Sequence, residues 1–301
     1  MARKLRGLER VLDAPSLFAV AYGEIASSQY IALGIVAATA LGFTPLVLLV
    51  AGAVFVLVAL SYAEGTAALP ETGGAATFVR RAFNDLAGFV TGWVLFLDFL
   101  IVMALSALFV PHYLAGAVGQ SSLRESPWDA VVGCALIAVI AGVRIARRSR
   151  LHLGALAVAL LDLLVQGLLV ILGVAFLLSP ETLGNGLGFA SGQDWSDLAF
   201  ALPLAMLAYT GLETVANLAE EATEPGRSLP RSLFSAIGLV VVVTVLIGAI
   251  GLSAYPVTNG ETALGEQWLE APLVGIAGRS TGRCPGFSST RSRSRSVSRA
   301  C

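Results

Sequence analysis

The sequence predicts an all-α polytopic membrane protein, and three observations carry that prediction. Its apolar residues are gathered in runs of about 20 or more, the length at which a helix rising ~1.5 Å per residue crosses ~30 Å of hydrocarbon. Only 13% of the 301 residues are charged while 56% are hydrophobic, at a mean hydropathy of +0.80; a soluble domain carries roughly 25% charge. The runs are rich in Leu, Ala, Val and Gly without alternation, which excludes the period of two that barrel strands need.

Seven spans follow in order, over residues 15–41, 45–69, 86–118, 128–143, 151–178, 198–219 and 232–255. The third is longer than an upright crossing requires and should tilt. Basic residues give the orientation. Arg3, Lys4, Arg6 and Arg10 precede the first span, Arg80 and Arg81 follow the second, Arg144, Arg147, Arg148 and Arg150 follow the fourth, and Arg227 and Arg231 follow the sixth. All twelve lie on one side, facing Arg124 alone before the tail on the other, so the positive-inside rule puts the N-terminus in the cytoplasm. The charged start has no clear small-residue cleavage site behind it and reads as the lead-in to an uncleaved first helix. Single cysteines at Arg147 and Asn185 should be labelled by impermeant reagents from opposite sides; labelling of both from one side would remove a span between them.

Cys134, Cys284 and Cys301 show no metal-ligand or redox spacing, and Cys134 reads as a small packing residue within its span. His112 and His152 read as interfacial polar residues. Trp93, Trp128, Trp195 and Trp268 fall at or near water boundaries, where an amphipathic ring prefers to sit.

The informative residues are polar ones inside the first and sixth spans. Tyr22-Gly23-Glu24-Ile25-Ala26-Ser27-Ser28 and Tyr209-Thr210-Gly211-Leu212-Glu213 place carboxylates and small residues at mid-depth, where an ionised side chain costs at least ~2.5–3.5 kcal/mol. An unwound stretch lining a wet cavity explains them; a small-residue kink packed against neighbouring helices explains either one alone. Ala21-Tyr22 with Glu24 returns loosely as Ala208-Tyr209 with Glu213, five spans later. An odd offset reverses direction across the membrane, the condition for an inverted repeat with a midplane site. Freed amides and carbonyls there would hold a carboxylate and a cation, with Tyr22, Gly23, Ala26, Ser27, Ser28, Tyr209, Thr210 and Gly211 as the substrate-binding candidates.

These residues resemble the amino acid, polyamine and organocation transporters. Ala26-Ser27-Ser28-Gln29-Tyr30 resembles the family's small-x-small-x-aromatic signature, with Ala26 and Ser28 where glycines are usual. Tyr62-Ala63-Glu64 and Pro70-Glu71-Thr72-Gly73-Gly74 are similar to its Tyr-x-Glu and Pro-x-x-Gly-Gly patterns, and Gly92-Trp93 is familiar in the third span. The sixth span carries the fullest likeness, from Ala208 through Glu213 to Glu220-Glu221, Glu224-Pro225, Arg227 and Pro230-Arg231. The resemblance covers about residues 15–275. It implies two inverted five-helix repeats, alternating access, and a substrate held between broken first and sixth helices.

On that reading residues 1–278 form the transporter domain, with a first repeat over 15–178 and a partial second over 197–278. An eighth span begins at Ala271-Pro272-Leu273 and is lost after Gly278. Residues 279–301 are an Arg/Ser-rich tail, read as an aberrant end or a disordered extension. The 301-residue chain is accordingly expected not to transport by itself.

Some relatives carry a proton on a lysine of the fifth helix, but the only lysine here is Lys4. Glu24, Asp98, Asp162 and Glu213 are the ion-coupling candidates, Asp98 and Asp162 being equally readable as hydrogen-bonded structural residues. Glu64, Arg80, Arg81, Glu220, Glu221 and Arg227 are candidates for a cytoplasmic gate. No cofactor is expected beyond a coupling ion, proton or sodium; the expected partners are a small amino acid or amine and the bilayer, with no nucleic acid. A channel would need a filter loop or a ring of like charges, and an intramembrane aspartyl enzyme a Gly-x-Gly-Asp pattern. Neither is evident, and a membrane protein that binds without transporting remains the alternative.

Overall fold

In the computed structural model the described residues are 12–69, 71, 73–146, 151–186, 195–223, 225–258 and 260–281. The helices are α1 (Ala14–Ala40), α2 (Thr44–Ala68), α3 (Gly74–Ala82), α4 (Asp85–Val118), α5 (Trp128–Ala146), α6 (Leu151–Phe176), α7 (Pro180–Gly186), α8 (Trp195–Met206), α9 (Leu212–Asn217), α10 (Pro225–Ala254), α11 (Ala263–Glu266) and α12 (Pro272–Ser280). The chain is an all-α polytopic membrane protein. Long apolar stretches run over Ala14–Ala68, Asp85–Val118, Leu156–Phe176, Trp195–Asn217 and Gly226–Ala254, and Trp128–Val143 is a shorter one. The first of these holds two crossings: its 55 residues would measure about 80 Å as one helix. A 3-10 turn at Leu41–Phe43 separates α1 from α2, entered through Leu41 at a φ of 45°.

Local signals set the ends. Asp13 caps α1 by accepting from the Ser16 amide at 3.0 Å, with Pro15 in the first turn. Hydrogen bonds from Ser16, side chain first and then backbone, hold the Asp13 carboxyl below its ordinary range. A lowered folded value means this cap stabilises at neutral pH and is lost as pH falls through it. Asn84 caps α4 by accepting from the Ala87 amide at 2.8 Å, and Gly119 ends it in the left-handed region at a φ of 76°.

The core lies around α1, which packs on α10, α6 and α8, while α2 lies along α10. Leu17, Ile25 and Leu33 of α1 meet Leu48 of α2 and Ile237, Ile247 and Ile250 of α10 in one buried cluster. The outer faces of α4, α5 and α6 expose Phe89, Trp93, Phe96, Val139, Leu164 and Phe176, the surface a bilayer solvates.

Several expectations need correction. The first span is not broken: α1 is helical throughout from Ala14 to Ala40, across Tyr22–Ser28. The physical reason is the substitution noted above, because Ala and Ser stand where glycines would each weaken a helix by ~0.5–1 kcal/mol. Trp268 is buried beside Gly275, and Cys134 is exposed on α5 and not packed. α12 runs to Ser280, with the Arg279 guanidinium over the Tyr255 ring at 5.1 Å. Residues 282–301, like Arg3, Lys4, Arg6, Arg10, Pro70, Thr72, Arg147, Arg148, Arg150 and Glu224, lie outside the described residues.

Candidate functional site

The sixth span breaks where the sequence predicts. After α8 a 3-10 turn covers Leu207–Tyr209, Thr210 is extended at a ψ of 153°, and Gly211 takes a φ of 115° before α9 starts at Leu212. Only glycine adopts that last conformation freely. A Cβ on Gly211 would stand 3.0 Å from the Glu24 carbonyl carbon and 3.2 Å from its Cβ, so the break is pressed directly on the middle of α1. Ser28 Oγ joins the contact, 3.0 Å from Thr210 Oγ1 and donating to the Thr210 carbonyl at 3.3 Å.

Beside this contact α1 is open. Glu24 and Ser27 are exposed, Gly23 is half-buried with nothing within 4 Å of where a Cβ would lie, and Ala26 is buried. Ser27 Oγ turns back to donate to the Glu24 carbonyl at 2.8 Å, which satisfies the hydroxyl without leaving the helix. The large rings point elsewhere. Tyr209 is fully buried and donates to the Leu48 carbonyl of α2 at 2.9 Å, and Tyr22 donates to Asp162 Oδ2 at 3.0 Å. The structure thus gathers Gly23, Glu24, Ser27, Ser28, Thr210 and Gly211 at one place and turns the rings of Tyr22 and Tyr209 into the packing behind it.

A second acidic group borders the inner half of the break. Glu213 of α9, Asp98 of α4 and Tyr62 of α2 lie within electrostatic reach of one another. Gly73 and Gly74, at φ values of 122° and 45°, start α3 against α9; a Cβ on Gly74 would sit 2.8 Å from Asn217 Oδ1 and 3.6 Å from the Glu213 carbonyl oxygen. That close approach is the physical use of the paired glycines.

Asp162 is the centre of a network that sequence reasoning missed. It accepts from Tyr22, from the Tyr30 hydroxyl and from Gln166 Nε2 at 2.9 Å. Gln29 Nε2 donates to Gln166 Oε1, and Thr244 Oγ1 of α10 donates to Gln29 Oε1 at 2.8 Å. Tyr113 of α4 donates to the Tyr30 carbonyl at 2.8 Å. The signals were there: Asp162 and Gln166 stand four apart on one face of a helix, and Tyr22, Gln29 and Tyr30 recur at seven and eight.

On the side assigned to the cytoplasm, Arg81 pairs with Glu71 at 3.0 Å, while Glu64, Arg80 and Arg227 are exposed. Glu221 contributes its backbone. The Leu12 amide donates to the Glu221 carbonyl and the Thr223 amide to the Leu12 carbonyl, both at 3.0 Å, a parallel bridge that straps the start of α1 to the loop after α9. Ser232 Oγ adds a bond to the Ala14 carbonyl at 3.1 Å. Leu12 is 2% exposed, so Leu12→Asp should open the strap and raise the rate of proteolysis at this end several-fold; cleavage at the parental rate would mean that the strap does not hold it. On the opposite side His112 Nε2 meets Glu270 Oε2 at 3.3 Å, and burial depresses the Arg124 guanidinium while Glu270 nearby opposes it.

The chain is similar to known proteins. The chain is 23% identical to a methylthioribose transporter of Bacillus subtilis (strain 168) over 85% of its own length and 58% of the relative's. It is 27% identical to the low-affinity putrescine importer PlaP of Escherichia coli (strain K12), covering 67% of this chain and 44% of that protein. It is also 27% identical to the branched-chain amino acid permease BcaP of Lactococcus lactis subsp. cremoris (strain MG1363), covering 71% and 50%. The chain therefore spans about half the length of the curated relatives it matches. A family model described as amino acid permease matches residues 12–284, which takes in every span, the broken sixth helix and the Asp162 network, and the chain belongs to that family.

Proposed function

We propose that the chain binds an amino acid or a related small amine and takes part in its secondary active transport across the cytoplasmic membrane, by alternating access between inverted repeats. The observation that carries this reading is the break at Thr210–Gly211 seated against the open Glu24–Ser28 face of α1. Two of the relatives are named for putrescine and branched-chain amino acids, which carry amino groups, and one for methylthioribose, which does not; a small solute with an amino group fits the first two names and the carboxylates. Gly23, Ala26, Ser27, Ser28, Thr210 and Gly211 line the substrate site, with the Tyr22 and Tyr209 rings setting its back wall. Glu24, Asp98, Asp162 and Glu213 are the groups available to a coupling proton or sodium ion, because each places a carboxylate within an apolar span. Glu64, Arg80, Arg81, Glu220, Glu221 and Arg227 flank the cytoplasmic end, where the N-terminus lies. The partners are the solute and the bilayer.

The test is binding and uptake of a labelled mixed amino-acid and diamine pool in sealed proteoliposomes. Ser27 is exposed and its hydroxyl bond is local, so Ser27→Trp should insert and stay monodisperse yet lose binding. Binding equal to the parent's would move the site elsewhere, and uptake by the chain itself would overturn the expectation that it does not transport alone.

A further inference from the structure

The polarity of the Asp162 network follows from one property: an ionised carboxylate has acceptors and no hydrogen. The Gln166 atom facing Asp162 must be its amide nitrogen, which turns Oε1 toward Gln29. Gln29 must then present its own nitrogen, which leaves its oxygen for Thr244, whose hydroxyl has to donate. One carboxylate on α6 thus orients an amide on α1 and a hydroxyl on α10. Gln29, Gln166 and Thr244 are each 1% exposed, so water does not replace a lost partner.

The two tyrosines differ in freedom. The Tyr30 hydroxyl donates to Asp162 and accepts from Gln166 at 3.3 Å, and its backbone is held by Tyr113. Among the described residues the Tyr22 hydroxyl has Asp162 alone as its hydrogen-bond partner. Among the described residues, the titratable groups that meet the carboxylate from the helices packed on α6 are Tyr22 and Tyr30. Tyr22 and Tyr30 come from α1, α10 sends Thr244 to Gln29, and the titratable group of α12, Arg279, lies over Tyr255.

We propose that Gln29, Gln166 and Thr244 are positioning residues that hold Asp162 as a common acceptor, so that Tyr22 is the group that responds when Asp162 takes up a proton. The proton comes from hydronium in the water that reaches the site: one of its O–H bonds breaks as the Oδ2–H bond forms, and the Tyr22 hydroxyl turns from donor to acceptor. Gln166 cannot turn in the same way, because Gln29 and Thr244 fix its amide from behind. Tyr22 adjoins Gly23 and Glu24 on the open face, which links the protonation of Asp162 to the break at Gly211 and to α10. This rests on Asp162 as a coupling residue, as proposed above.

The test uses the purified 301-residue chain with isotope-labelled aspartate, the Asp162 carboxylate bands being isolated by infrared difference against Asp162→Asn. Thr244→Val, which does not touch Asp162, is expected to move those bands, and Thr244→Ser to restore them. A Thr244→Val protein that melts earlier but leaves the bands in place would overturn the proposal, since a merely structural bond does that; Thr244→Ala is the substitute if valine prevents folding. Substrate binding as a function of pH is followed beside the spectra, because the chain is expected not to transport by itself. Moved bands together with a pH dependence of binding unaffected by Asp162→Asn would uphold the positioning chain and overturn the coupling role of Asp162.

Discussion

Alanine at Gly211 is expected to destabilise the protein by about 2–5 kcal/mol, combining ~1–2 kcal/mol for an L residue forced to positive φ with ~1–3 kcal/mol for overpacking. Both terms come from the structure. The φ of 115° belongs to glycine, and the added methyl would stand 3.0–3.2 Å from Glu24 backbone and side-chain atoms that cannot swing away. Gly23→Ala is the matched control. Its Cβ meets nothing within 4 Å and its backbone is helical, so the same change there should stabilise by roughly 0.5–1 kcal/mol. Thermal melts read by size exclusion separate the pair: Gly211→Ala falls well below the parent and Gly23→Ala lies at or above it. A Gly211→Ala protein melting with the parent would mean that the break is not pressed on α1.

This pair marks where the sequence was legible. Span positions were readable because bilayer thickness imposes a length that hydropathy reports directly, and the sixth-span break was readable because Gly211 stands with Thr210 and Glu213 at mid-span, where a continuous lipid-facing helix gains nothing from them. The same logic failed in the first span. Ala26 and Ser28 keep enough helix propensity for α1 to run straight through, and the polar residues serve contacts, Ser28 with Thr210 and Tyr22 with Asp162. The amphipathic α3 was hidden because its nine residues are far shorter than a span. Partners were the least legible part. Asp162 could be singled out as a buried carboxylate, but that its donors come from residues 22, 30 and 166 is a property of three-dimensional packing that one chain's residue order does not state.

Asp162→Ala is the second variant expected to have a large effect, through the donors it strands. The Tyr22 and Tyr30 hydroxyls and the Gln166 amide all point at this carboxylate, and a buried donor left without an acceptor costs about 1–3 kcal/mol. Three of them, even when coupling makes the sum less than additive, remove several kcal/mol from a total of about 5–15 kcal/mol. The alanine protein should therefore be recovered mainly as aggregate. Asp162→Asn keeps one oxygen acceptor and fills the same volume, so more of the fold should survive than in the alanine variant. Adding Tyr22→Phe to Asp162→Ala supplies the decisive comparison. If stranded donors cause the damage, removing one of them should raise the melting midpoint above that of Asp162→Ala alone, because deleting both partners of a buried bond costs less than deleting one. If the double variant melts lower still, the loss comes from the cavity left by the side chain, and the hydrogen-bond account of Asp162 fails.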